Sequence, residues 1–131
     1  MKEFFRSFFN KSSEEKVVVT DSPKVDAKFV IKIDDLIIGT LNRKNNFWQF
    51  QYSDDFKNQQ EYYRLVGFSD LNKVYQSEVL WPFFKIRIPG LKQPMIQEII
   101  ELDKLDVSDE AILLKRFGRR SISNPYILES I

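Results

Sequence analysis

The chain has 131 residues, 43% hydrophobic and 30% charged, with four glycines and five prolines. This is the makeup of one folded domain with its own core and excludes a disordered or fibrous chain. Twenty Lys and Arg face nineteen Asp and Glu, and the net charge of +1 excludes a molecule-wide field for nucleic acid or an anionic membrane, so any basic patch is local. Cysteine and histidine are both absent, which excludes disulfides, thiolate metal sites and the usual general base near neutral pH; catalysis would rest on carboxylates, lysine or tyrosine.

The N-terminal "MKEFFRSFFN" is a poor signal peptide, because Arg6 and Ser7 break its apolar residues and no small-residue cleavage site follows. No apolar run approaches the ~20 residues of a spanning helix and the lack of cysteine fits a reducing compartment, so the expectation is a cytoplasmic protein without a membrane partner. Phe4 and Phe8, and Phe5 and Phe9, stand at i and i+4 and would form one apolar stripe in a helix: a turn docked on its own domain, a frayed end, or a peg for another protein. The polar stretches "NKSSEEK" and "TDSPKVDAK" read as a tether, dividing the chain into an extension, residues 1–27, and a domain, residues 28–131.

From Lys28 the apolar period changes to two. Phe29, Ile31 and Ile33 point one way, which predicts a half-buried strand. Asp34-Asp35 supplies a turn, "LIIGTL" a second strand in which Gly39 marks a bulge or a close backbone approach, and "NRKNN" another turn. "FWQFQY" sets Trp48, Phe50 and Tyr52 on one face, completing an antiparallel meander that needs a cover. Ser53 to Asp55 suit a helix cap, "FKNQQEYY" is open between helix and loop, and "YYRLVGFSD" reads as one more short strand.

Pro82 suits a first helical turn, predicting a short helix from about Trp81 that ends before Pro89. A second helix is expected after Pro94 with Ile96, Ile99, Ile100 and Leu105 inward. A third is capped by Ser108, with Asp109 and Glu110 in its positive first turn, Ile112, Leu113 and Leu114 buried, and Lys115 and Arg116 near its negative end before Gly118. "SISNPYIL" reads as an edge or return strand. The whole predicts an α+β fold, a small antiparallel sheet packed against two or three helices.

No phosphate-cradling glycine loop is present, and the paired carboxylates Asp34-Asp35 and Asp54-Asp55 suit solvated turns better than acid/base work. The chain therefore reads as non-enzymatic, with no cofactor or metal and no small-molecule substrate. Two segments carry candidate binding residues. Trp81 and Arg87, in "LWPFFKIRIPG", are residue types favoured as interface anchors, although core packing explains a large aromatic as well. "LLKRFGRRS" gathers Arg116, Arg119 and Arg120, either for phosphate contact or to complement a helix C-terminus.

Taken in order, "IIGTL", "FWQFQYS", "FFKIRIPG" and "LLKRFGRRS" resemble the N-terminal subdomain of HipA-type serine/threonine kinases, which carries a "vG.L" strand, an "F.Y" strand, an "FF..LLP" helix and an "LL..iGrds" segment. The resemblance spans about Lys28 to Leu128. It implies that Phe83, Phe84, Ile88 and Pro89 are scaffold and that the turn Gly90-Leu91-Lys92 faces a kinase body. The kinase motifs that follow this subdomain in the family do not occur in these residues, so the resemblance is to the stand-alone, HipS-like component of HipBST-type toxin–antitoxin systems. It implies a partner-binding, antitoxin-like module that docks through Trp81, Arg87, Gly90, Leu91, Lys92, Arg119 and Arg120 on a HipA-like kinase lacking its own N-terminal subdomain, with a HipB-like DNA-binding protein as a further partner. The alternative is a DNA-associated or structural part of a repressor complex, acting through "KRFGRR". The sequence departs from the family where Gly90 replaces an acidic residue and where "GRRSISNPY" replaces a run of small, flexible residues.

Overall fold

The computed structural model describes residues 24–131; the Phe-rich stripe and most of the extension lie outside them. Five strands, β1 (Ala27–Ile33), β2 (Leu36–Lys44), β3 (Phe47–Tyr52), β4 (Tyr75–Ser77) and β5 (Ile127–Ser130), form one antiparallel sheet in the order β4-β3-β2-β1-β5. Helices α1 (Asp54–Lys57), α2 (Pro82–Lys85), α3 (Pro94–Asp103) and α4 (Glu110–Phe117) complete an α+β fold.

The meander forms because its turns suit its strands. Ile33 pairs with Leu36 and Lys44 with Phe47, leaving the two-residue loops Asp34-Asp35 and Asn45-Asn46. Asp34 and both asparagines hold positive φ, a region that short polar side chains tolerate and that tight hairpins demand. Between Ile31 and Lys32 the register slips, because Ile31 faces Gly39 while Lys32 faces Ile37. Ile38 is the extra residue, and this bulge re-phases β2 so that Ile38 and Leu41 are both fully buried. Gly39 is required beside it: a Cβ there would lie 2.5 Å from the Gln51 carbonyl oxygen and 2.9 Å from the Phe50 ring. Both meanings read from Gly39, bulge and close approach, hold together.

Phe29, Ile31, Ile38, Leu41, Trp48, Phe50 and Tyr52 carry one face of the sheet into the core. Phe84 from α2, Ala111 and Leu114 from α4, and Leu65, Phe68 and Leu80 from the connections cover it. Phe68 sits at the centre of an aromatic cluster, with ring centroids 4.6 Å from Phe50, 5.2 Å from Trp81 and 5.8 Å from Phe84. Each such pair adds roughly 0.5–1.5 kcal/mol beyond the burial of its area. The "LWPFF" run is thus largely core.

Several expected elements shift. "YYRLVGFSD" forms no strand; the fourth strand is Tyr75–Ser77, and the stretch before it is a loop that delivers Leu65 and Phe68 inward. The cap of α4 is Asp109, whose carboxylate accepts from the Ala111 N–H at 3.0 Å, while Ser108 instead hydrogen-bonds Asp106. Ile112 is half-buried where Leu113 and Leu114 are fully buried. Helix α3 starts at Pro94 as expected, but none of its residues is fully buried: Ile96, Ile99 and Ile100 reach the body only in part.

Candidate functional site

Two buried cations organise the surface. Arg87, expected on a docking face, is only 4% exposed. It follows α2 and turns its guanidinium inward, where Nη1 donates to the carbonyls of Gly118 at 3.0 Å and Arg119 at 3.1 Å. Nη2 donates to Asn124 Oδ1 and the Tyr126 carbonyl, each at 2.9 Å. Burial pushes its pKa down to about 10, so it stays a cation near neutral pH. Arg87 is therefore a clamp that ties the end of α2 to the chain between α4 and β5, and its own side chain is not offered to a partner.

Arg43, which the sequence reading passed over, is 3% exposed and pairs with the equally buried Asp109. Its Nε and Nη2 also donate to the Val25 carbonyl, at 3.1 and 2.7 Å, and its guanidinium lies 5.2 Å from the Trp48 ring centre. Asp109 thus neutralises a buried cation and caps α4 at once. The sequence carried a signal for it: Arg43 stands two positions after inward-facing Leu41 on a strand, so it must point at the core.

Around α2 the structure gathers apolar side chains that remain in water. The Leu65 carbonyl accepts from the Phe68 N–H at 3.0 Å, closing a turn in which Gly67 takes φ +91°. A turn of that kind wants glycine at its third position, and it displays Val66 at 82% exposure. Tyr52 fixes the turn from beneath: its hydroxyl accepts from the Leu65 N–H at 2.9 Å and donates to the Phe68 carbonyl, and burial pushes its pKa up to about 12. Across from Val66, Ile86 at the end of α2 is 61% exposed. Between them runs an open groove of about 460 Å³ whose walls include Leu65, Pro82, Phe83, Pro125 and Tyr126, with Arg64 at the rim. Tyr63, 91% exposed, extends the apolar surface.

The residues singled out from the sequence do not line this groove. Trp81 is half-buried, its ring edge-on to Phe68, and its carbonyl accepts from the Phe84 and Lys85 N–H groups at the start of α2. Gly90 and Lys92 are exposed and Leu91 half-buried, in a turn held by the Gln97 side-chain amide on the Leu91 carbonyl. Arg119 and Arg120 are exposed. The Arg87 clamp brings the backbone of Arg119 against the segment that leads into Gly90. Arg119 also meets Glu129 at 3.3 Å and Arg116 meets Asp103 at 2.8 Å, which answers much of the "KRFGRR" charge internally.

A larger groove of about 650 Å³ lies at the end of the sheet, with Asn42, Gln49, Ile112 and the lysines Lys28, Lys44 and Lys115 along it. Among the described residues, no group of three or more Asp or Glu could hold a metal ion, and no helix is long and apolar enough to cross a membrane. No family model matches the chain, and no curated protein matches it significantly.

Proposed function

We propose that the chain is a non-catalytic docking module that binds a separately encoded HipA-like serine/threonine kinase and inhibits or modulates it in the cytoplasm, as an antitoxin does. The order of the four sequence segments suggests the partner. The observation that supports docking is the apolar groove between Val66 and Ile86, because a side chain such as Val66 at 82% exposure gains by being covered. Ile86 on the groove wall precedes the turn Gly90-Leu91-Lys92 by four residues, which suits a partner that engages both.

The test is co-purification with a HipA-like kinase that lacks its N-terminal subdomain, followed by a kinase assay. Val66→Asp with Ile86→Asp is expected to weaken binding by about 30-fold or more, the loss of a central apolar hot spot, without unfolding the chain. Unchanged affinity in the double variant, or unchanged kinase activity in a stable complex, would overturn the groove or the inhibition respectively. Phosphate contact through "KRFGRR" is the weaker reading, since Asp103 and Glu129 already engage Arg116 and Arg119.

A further inference from the structure

Helix α3 shows a second unpartnered surface. On its helical projection Leu102, Met95 and Ile99 form one apolar strip, and Asp103 separates it from Ile96 and Ile100. Ile96 and Ile100 face the body and are half-buried, whereas Met95 and Leu102, on the outer half, are 71% and 76% exposed. Ile99 lies between them. Beside Leu102 the helix carries Glu98 and then Glu101, while Asp103, on the other edge of the strip, is engaged by Arg116 at 2.8 Å; the helix itself has no basic residue.

The chain enters the described domain close to this helix. The Val25 N–H donates to Asp109 Oδ2 at 3.4 Å, and the Lys24 charge helps hold the Asp106 carboxyl below its ordinary range. Asp106 and Asp109 belong to the short connection that leaves α3 at Lys104 and starts α4 at Glu110. The N-terminal extension therefore joins the domain beside the C-terminal end of α3.

The chemistry of the extension complements that helix. Phe4, Phe5, Phe8 and Phe9 alternate with Lys2, Arg6 and Lys11, against Glu3 alone among acidic residues up to Lys11. Phe9 precedes Lys24 by 15 residues, a span of up to roughly 50 Å when extended, which exceeds the roughly 26 Å given by twice the radius of gyration of a domain this size. Reach is no obstacle, so charge and nearness to the entry of the extension decide among the apolar surfaces. The larger groove carries Lys28, Lys44 and Lys115 against Asp26 alone, and the smaller carries Arg64 with no acidic residue, a balance that disfavours a basic segment. Acidic neighbours border the α3 strip and also a third groove, where Ile33, Leu36 and Tyr62 meet Asp34, Asp35 and Glu61, but that groove lies at the far end of β1 from the entry and the α3 strip lies beside it. We propose that the basic Phe-rich segment, residues 2–11, docks in cis on the outer face of α3, its phenylalanines over Met95, Ile99 and Leu102 and Lys2, Arg6 and Lys11 toward Glu98 and Glu101.

The proposal is independent of the kinase partner and is tested on the full chain alone. Because the protein has no cysteine, Ser12→Cys accepts a single spin label, and isotope-labelled methyl groups report its proximity. Selective signal loss is expected at Met95, Ile99 and Leu102, with Leu65 and Ile86 of the smaller groove unaffected. Phe4→Ser with Phe8→Ser, or Glu98→Lys with Glu101→Lys, should restore the α3 signals; both glutamates are exposed, so the second pair retains the fold. Signal loss at Leu65 and Ile86 instead would overturn the proposal, as would no loss at either surface. So would loss of the same size in a mixture of spin-labelled, isotope-free chain with isotope-labelled chain that carries no spin label, which would assign the contact to a second copy.

Discussion

Replacing Arg87 by methionine separates a structural clamp from an interface anchor. Four hydrogen bonds from its guanidinium end on Gly118, Arg119, Asn124 and Tyr126. At the lower end for charge-assisted bonds, about 1.5 kcal/mol each, they contribute roughly 6 kcal/mol. Against this stands the cost of holding the cation away from water. A pKa lowered from 12.5 to about 10 corresponds to roughly 3 kcal/mol. The difference leaves a net contribution of roughly 3 kcal/mol, a large part of the roughly 5–15 kcal/mol that keeps a domain folded. Urea unfolding of Arg87→Met should therefore show a loss of about 3 kcal/mol, with hydrogen exchange accelerated first between Gly118 and Tyr126. Arg87→Lys should recover less than half, because a point ammonium cannot reach four acceptors that suit a planar fork. A loss below about 1 kcal/mol, or full recovery with lysine, would refute the clamp. Unchanged stability with weakened partner binding would return Arg87 to the docking face.

The buried pair gives a second test. Arg43→Met and Asp109→Ser, the serine keeping a helix cap, should each cost about 3 kcal/mol or more, since each strands a buried charge, and the double variant should be less destabilised than the sum by at least about 1 kcal/mol. Additivity within about 0.5 kcal/mol would show that the pair is not coupled. Acid stability follows from two carboxylates held below their ordinary range, Asp106 by the Ser108 hydroxyl and N–H, and Glu129 by its bond to Lys32. A depressed folded pKa gives stability that is complete above the unfolded value, about 4, and is lost as the pH falls through the folded value. Asp106→Asn with Glu129→Gln should therefore flatten the decline of stability below about pH 4, as followed by thermal unfolding across an acid series. An unchanged slope would remove both groups from the account.

Most of the sheet was legible because its signals are local. Period-two burial fixed β1 to β3, Asp34-Asp35 and Asn45-Asn46 fixed the hairpins, and Gly39 marked the bulge, all within a few residues of the effect. The proline at the first position of α2 and of α3 did the same for the helix starts. What failed depended on contacts distant in sequence. "YYRLVGF" has the composition of a strand, yet the Tyr52 hydroxyl, more than ten positions earlier, holds it as a turn and turns Val66 outward. Arg87 looked like an anchor because charge and aromatic neighbours suggest an interface, and nothing nearby shows that its acceptors lie at residues 118 to 126. Asp109 replaced Ser108 as the cap because it has a second partner, Arg43, sixty-six positions away.

The same contacts explain why the candidate surfaces sit where they do. Arg87 and Arg43 each fasten an irregular segment to a regular one, the first joining the end of α2 to the run before β5 and the second joining β2 to the start of α4. Buried polar side chains thus act beside Leu65, Phe68, Leu80 and Phe84 in fastening the irregular half of the molecule, and apolar side chains such as Val66, Ile86, Met95 and Leu102 are left outside it. A core of fifteen buried hydrophobic residues centred on the sheet does not need them. Their exposure costs solubility and adds nothing to the isolated fold, which is the physical ground for the two proposals, a partner in the groove beside α2 and the chain's own N-terminal phenylalanines on the face of α3.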